Sequence, residues 1–350
     1  MNKTQPEIVA MVHVHSNNAL QNTVYNDHMS ISTYTHADLQ VIEQLRKDFA
    51  KSLDALIADT GLELLRQCRT APLILDPAFA QQVKDSLGQL SFVKELVGRS
   101  LEEVRIFVDN GITHVSVENV GAPYFIGNEV PVEDMAILYL VATAIRAEHP
   151  TLNMGIHVLS SDELESLPIA ISCDAMFIRS ESSIFSGFRP EGKTINRGNL
   201  AKFYYLRNYF RTKLGVNSGK VARFPALWAD LQKKHTVFEQ EVKDLQIWFD
   251  NILFQKVEAI ILTGQETGSD IAPGELQQAR AAVDKVKAQT EKYFGKAIDI
   301  PIITGSGLDV ETYSKYADYM IVGSTLKENG YWENNVSDAK VKELLARIRG

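Results

Sequence analysis

Residues 300–325 read Ile-Pro-Ile-Ile-Thr-Gly-Ser-Gly-Leu-Asp-Val-Glu-Thr-Tyr-Ser-Lys-Tyr-Ala-Asp-Tyr-Met-Ile-Val-Gly-Ser-Thr. Two short apolar runs, Ile300–Thr304 and Tyr319–Val322, each end in a glycine turn. Apolar runs of this length, bounded by turns and spaced by helical segments, mark repeated βα units and a parallel sheet. Working outward, six more such runs appear: Ile8–His15, Thr113–Glu118, Asn153–Leu159, Asp174–Ser180, Val221–Asp230 and Val257–Thr263. Eight βα units closing on a last helix with Val341, Leu344, Leu345 and Ile348 on one face predict an α/β fold, a (β/α)8 TIM-type barrel. An open doubly wound sheet usually has fewer strands.

The helices carry their own punctuation. Ser100 and Glu103 have the spacing of a capping box, as do Ser160 and Glu163, and Pro273 suits a first helical turn. One connection breaks the rhythm, because the first strand ends near His15 and the next regular helix is expected only near Ser100, about 80 residues later. Within that stretch Ile42, Leu45, Phe49, Leu53 and Leu56 keep helical spacing, Thr60-Gly61 reads as a helix stop, and residues 71–77 read as a turn-rich crossing. The whole chain, residues 1–350, is therefore expected to be a single barrel domain. Residues 29–98 form a helical insertion or lid on its C-terminal face, where barrel enzymes do their chemistry.

The chain has 350 residues, 45% hydrophobic and 23% charged, with Gly 21 and Pro 11, which suits a globular protein with a sizeable core and excludes collagen-like and low-complexity classes. The net charge of -8 argues against nucleic acid and anionic membrane as partners. The longest strongly apolar stretch, Met135–Ile145, is shorter than the roughly 18–20 residues that a transmembrane helix needs. The N-terminus runs straight into a strand, which is read as an unprocessed cytoplasmic protein. Cys68 and Cys173 lack metal-ligand spacing and are expected to be buried small side chains.

Side chains alternate across a strand, so one parity lines the barrel and the other packs beneath the helices. Polar residues choose one parity: His13 and His15; His114, Ser116 and Glu118; His157; Arg179; and Asp230. Several such groups at the C-terminal ends of their strands point to a site. Glu118, His157 and Asp230 are candidate proton carriers, with Lys233 or Arg179 countering negative charge. The turns Gly305-Ser306-Gly307 and Gly323-Ser324 follow strands seven and eight, the usual place for a barrel's phosphate site, and glycine lets backbone N–H groups approach an anion. Thr263 and Gly264 add small groups to the same rim. His13, His15 and His235, with Glu118, His157 or Asp230, would alternatively hold a divalent metal that activates water.

Met11-Val12-His13, Val117-Glu118-Asn119, Asp174–Arg179, Asp230 with Lys233-Lys234-His235, Leu262-Thr263-Gly264, Gly305-Ser306-Gly307 and Ile321–Lys327 together resemble the BtpA family, which includes the SgcQ-like proteins. The resemblance covers residues 8–15 and 99–350 and is strongest in the last hundred. It implies a TIM-type barrel, with a role in photosystem I biogenesis for its cyanobacterial members and small-molecule metabolism for those in sugar operons. It adds Asn119 to the substrate-binding candidates and names no established reaction. His157 stands where the family usually has asparagine, His15 and the residues after it replace a proline-rich loop, and the segment up to about residue 98 is not a standard part of the family.

The expectation is thus an enzyme taking a small phosphorylated or sugar- or nucleoside-like substrate, with no cofactor required or a divalent metal. A homo-oligomer is expected. Two competing expectations are a non-catalytic assembly factor that docks a protein partner and a metal-dependent hydrolase.

Overall fold

The computed structural model describes residues 5–14, 35–120, 130–159, 163–181, 187–188, 200–215, 224–231, 237–238, 256–264, 270–271, 273–305, 313 and 315–349. Eight strands close a parallel barrel: β1 (Glu7–Val14), β2 (His114–Asn119), β3 (Asn153–His157), β4 (Phe177–Ser180), β6 (Ala226–Asp230), β8 (Ala259–Leu262), β9 (Ile302–Thr304) and β10 (Tyr319–Val322). Two further strands, β5 (Gly187–Phe188) and β7 (Val237–Phe238), pair antiparallel beyond the C-terminal ends of β4 and β6. The barrel is the expected one, and five strands, β3, β4, β6, β8 and β9, are shorter than their apolar runs, three of them for evident local reasons. Asp174 takes a left-handed φ of 50°, so β4 starts after it. Pro301 has no N–H to give a ladder, so β9 starts at Ile302, and the run ahead of β6 is interrupted by Pro225.

Strand parity separates the core into two bodies. Val9, Met11, Phe177, Trp228, Ala259, Ile261, Ile303 and Ile321 form the barrel interior. The alternate residues, among them Ala10, Val12, Val115, Ile156, Ile178, Leu227 and Ile260, pack outward under the helices. In the interior the Phe177 and Trp228 rings stack at 3.6 Å and 3°, and Trp228 meets Tyr319 at 5.2 Å. Gly155 makes the space for this plug, since a Cβ there would lie 2.1 Å from the Phe177 ring.

Ahead of β2 lie α1 (His36–Thr60), α2 (Pro72–Leu75), α3 (Pro77–Leu87) and α4 (Ser91–Asp109). Thr35 and Asp38 form a capping box for α1, and Gly61 ends it at φ 66°, as the Thr60-Gly61 pair predicted. The expected turn-rich crossing is instead helical: Pro72 and Pro77 each open a helix, and Asp76 caps α3 by accepting from the Phe79 N–H at 3.0 Å. Helix α4 begins at Ser91, not near Ser100, because Phe92, Val93 and Leu96 extend its buried face upstream. Ser100 and Glu103 are therefore not a capping box. Their i,i+3 spacing is simply that of one helix face, and both are buried.

Helix α6 (Glu163–Ser172) buries nearly every position, and α5 (Val132–Glu148) buries Glu133–Ala142 without a break. The segment before α4 covers them. Arg46 of α1 pairs with Glu133 in the first turn of α5, its Nε 3.1 Å from Oε2. Arg69 donates to Glu165 of α6 at 2.6 Å and to the Val130 carbonyl at 2.9 Å, while the Cys68 thiol donates to the Leu164 carbonyl at 3.0 Å. The remaining helices are α7 (Leu200–Lys213), α8 (Pro273–Phe294) and α9 (Asp338–Arg349), the last burying Val341, Leu344, Leu345 and Ile348. Lys327, between β10 and α9, is fully buried and donates to Glu103 of α4 at 2.5 Å. Among the described residues, no helix is long and apolar enough to cross a membrane.

Replacing Gly155 by alanine is expected to destabilise the barrel by about 1–3 kcal/mol, the usual cost of overpacking, read as a lower urea midpoint. Adding Phe177→Leu should recover part of the loss. Equal stability of Gly155→Ala and the parent would mean that the stacked rings are not confined.

Candidate functional site

On β1 and β4 the inward-facing residues turn from apolar to charged toward the C-terminal end, and on β2 and β3 the same parity ends on Glu118 and His157. The register places His13 opposite Glu118 and Glu118 opposite His157, so three strands contribute one continuous row. Ile156 of β3 pairs with Ile178, and the same row continues one step on to Arg179. Arg179 reaches sideways to Asp230 of β6 in a bidentate pair, Nε to Oδ2 at 2.9 Å and Nη2 to Oδ1 at 3.0 Å. Burial alone would lower the guanidinium's pKa, but Asp230, Glu118 and Glu181 outweigh it and raise it.

The His157 ring lies between two carboxylates, with Nδ1 3.1 Å from Glu118 Oε2 and Nε2 3.3 Å from Glu181 Oε1. Neither ring N–H points squarely enough at its oxygen to make a hydrogen bond, so the two contacts are close ionic approaches. Desolvation works against charge on His157, and the two carboxylates more than compensate, so its pKa lies above the ordinary value. Desolvation likewise pushes Glu118 up, yet His157, Arg179 and His13 together hold its carboxyl down at about 2. The ring and the carboxylate therefore favour their charged forms together.

Around this row stand the small groups of the rim. His13 donates from Nδ1 to the Trp332 carbonyl at 3.3 Å, and since a carbonyl only accepts, that nitrogen carries the proton. The rest of the ring covers Gly323, where a Cβ would lie 3.4 Å from it. A Cβ on Gly305 would meet Thr263 at 2.8 Å, Ile261 at 3.0 Å and Arg179 Nη2 at 3.5 Å, so the turn after β9 rests against the guanidinium. After β10, Ser324–Leu326 is one 3-10 turn, and the regular helix opens only at Asp338. The expected helix at this glycine turn is thus displaced, and no long helix dipole reaches Gly323.

Of the sequence-derived candidates, the structure gathers His13, Glu118, His157, Arg179 and Asp230, with Thr263, Gly264, Gly305, Gly323 and Ser324 at the surrounding strand ends. Asn119 has the opposite parity, and its Oδ1 accepts from the Leu159 N–H at 2.7 Å. His15, Lys233, His235, Ser306 and Gly307 lie outside the described residues. Among the described residues, no three His, Cys, Asp or Glu side chains are grouped to hold a metal ion. Glu181 is the member that sequence reasoning missed. It continues the parity of Phe177 and Arg179 one residue past the end of β4, and extending that alternation would have found it.

The sequence profile of the BtpA family matches residues 68–350. The chain belongs to the BtpA family. The match begins at Cys68, so it takes in residues 68–98, which the resemblance left out, with the buried contacts that Cys68 and Arg69 make with α6, and it does not extend to Met11-Val12-His13. An uncharacterized protein of Archaeoglobus fulgidus is 25% identical over 265 residues, 73% of this chain and 90% of the relative. One of Pyrococcus furiosus is 27% identical over 263 residues, 73% and 86% of the two chains. Among solved structures, phosphoribosyl anthranilate isomerase of Thermus thermophilus is 15% identical with a TM-score of 0.38, covering 71% of this chain and 94% of its own. The homocysteine methyltransferase MmuM of Escherichia coli is 10% identical with a TM-score of 0.44, covering 99% and 97%.

The two charged groups predict opposite pH limbs. Glu118, depressed in the fold, contributes stability that is full above its ordinary value of 4.5 and is lost as pH falls toward about 2. His157, raised in the fold, contributes stability that is full below its ordinary 6.5 and is lost as pH rises through the folded value. Thermal midpoints between pH 2 and 9 should show both limbs. Glu118→Gln should flatten the acid limb and move the His157 titration, followed by proton NMR, to lower pH. A parent His157 titrating at or below 6.5 would sink this account.

Proposed function

We propose that this BtpA-family chain is an enzyme for a small phosphorylated compound of sugar or nucleoside type, bound at the C-terminal mouth of the barrel. The observation that carries the reading is His157 held between Glu118 and Glu181, beside the Arg179–Asp230 pair. Such an array costs folding energy and packs nothing that apolar residues would not pack better, which is the signature of groups kept for chemistry.

His157 is the proton carrier. Charged and enclosed, it passes a proton to a leaving or carbonyl oxygen by way of Glu118, the neighbouring carboxylate that is open to the mouth, and recovers it from solvent by the same route. Glu118, held at about 2, is too weak a base to abstract a proton itself and acts by orienting His157 and by accepting from the substrate. Asp230, with both oxygens on Arg179, fixes the guanidinium and is not an acid in its own right. The phosphate is received by the backbone of residues 305–307 and of Gly323-Ser324, with Thr263 and Gly264 at the rim, His13 over Gly323 and Arg179 beneath Gly305. Lys233 adds positive charge from the loop after β6. Asn119 serves by holding the Leu159 backbone at the mouth. No step is assigned to a metal at His13, His15 and His235.

Docking through the inserted helices draws no support from their own apolar surface. On the described part of residues 35–98, Leu39 is the one large hydrophobic side chain that is exposed. The rest of that apolar face is spent on α5 and α6.

The test is a thermal-shift screen of the purified protein against inorganic phosphate, sugar phosphates, nucleotides and divalent metals, since a ligand of the native state raises its midpoint by mass action. A shift with a phosphorylated class, lost in Gly307→Asp, is expected. With a substrate found, His157→Gln should lower turnover about 10²–10⁴-fold, the usual worth of a general acid, while the ligand-induced shift persists. No shift with any phosphorylated compound would overturn the reading.

A further inference from the structure

The floor of the site carries more negative charge than positive. Glu118, Glu181 and Asp230 face Arg179 and His157, three carboxylates against two cations, and a protonated His13 would bring the balance only to neutrality. Much of this array is closed to a ligand: the Glu181, His157 and Asp230 side chains are 1% exposed or less. What remains for a ligand to touch is the Glu118 carboxylate, 11% exposed, and the edge of the Arg179 guanidinium, 7% exposed.

These two groups face different parts of the mouth. Arg179 Nη2 lies against the turn after β9, on the side proposed for the phosphate. Glu118 lies on β2, two strands from Arg179, between His13 and His157. An ionised carboxylate only accepts hydrogen bonds, so whatever part of a ligand reaches it must donate. One step below on the same face of β2, the Ser116 hydroxyl is fully buried and has no hydrogen-bond partner among the described residues. A second anionic group on the ligand would meet the Glu118 carboxylate, and like charges in a desolvated site repel strongly.

We infer that the ligand is a phosphate monoester whose far end is a neutral, hydroxyl-bearing polyol, and that Glu118 sets this specificity by accepting from those hydroxyls and rejecting a carboxylate in their place. The inference rests on the phosphate site of the proposed function, which places one end of the ligand at residues 305–307 and 323–324.

Isothermal titration of the full chain with three probes separates the two claims: inorganic phosphate, glycerol 3-phosphate and 3-phosphoglycerate. The last two differ only in a hydroxymethyl group replaced by a carboxylate. Glycerol 3-phosphate is expected to bind at least about tenfold more tightly than 3-phosphoglycerate. In Glu118→Gln the ratio should fall to within about threefold, chiefly because 3-phosphoglycerate gains affinity, a gain that a misfolded variant would not show. Equal or tighter binding of 3-phosphoglycerate to the parent would overturn the polyol inference while leaving the phosphate site standing. Failure of all three probes to bind would overturn the phosphate site and this inference with it.

Discussion

A guanidinium taken out of water must bring its counter-charge with it, and in this barrel Asp230 is that counter-charge for Arg179. Breaking a buried pair of this kind by removing one partner typically costs about 3–5 kcal/mol, far more than the pair contributes over an apolar substitute. The remainder of the mouth is arranged around the bond. It joins β4 to β6, fixes where Nη2 meets the turn after β9, and occupies both oxygens of the carboxylate that would otherwise be the obvious base. In the proposed reaction, proton chemistry is thereby left to His157, whose charge is favoured by carboxylates on both sides.

The polarity gradient along the barrel axis gives these charges their strength. Below them the stacked Phe177 and Trp228 rings and the neighbouring apolar residues leave a medium in which charges are screened far less than in water. At the opposite end His114, on the same parity as Glu118, is tied to Glu7 at 2.9 Å and to Asn153 at 3.1 Å. One inward face of one strand thus carries a structural histidine at its start and a site carboxylate at its end.

Much of this was legible from residue order, because the rules involved are local. Short apolar runs bounded by turns located the eight strands, and period-two alternation within them chose His13, Glu118, His157, Arg179 and Asp230 as inward-facing. What was not legible depends on contacts between distant segments. Ser100 and Glu103 mimic a cap because a capping box and a helix face share one spacing, and only the approach of Lys327, 224 positions away, shows Glu103 to be a buried counter-ion. Asn119 sits in a motif beside Glu118, but a single step along a strand reverses the direction of its side chain. Glu181 lies just past the strand end, where alternation is no longer assumed, and was passed over for that reason.

The cover over α5 and α6 also has a historical meaning. On an ordinary barrel the jacket helices keep a polar outer face, so material laid over them can be gained or lost freely. Here α6 buries nearly every position and α5 all of Glu133–Ala142, and their first turns hold Glu133 and Glu165 against Arg46 and Arg69 of the covering segment. Once those outer faces became apolar, a descendant that lost the cover would have to repolarise two helices at once and rehouse two stranded carboxylates. The change is a ratchet: the covering segment and the helices beneath it are bound to vary as one inherited unit, in which substitutions on one side are permitted only by those on the other.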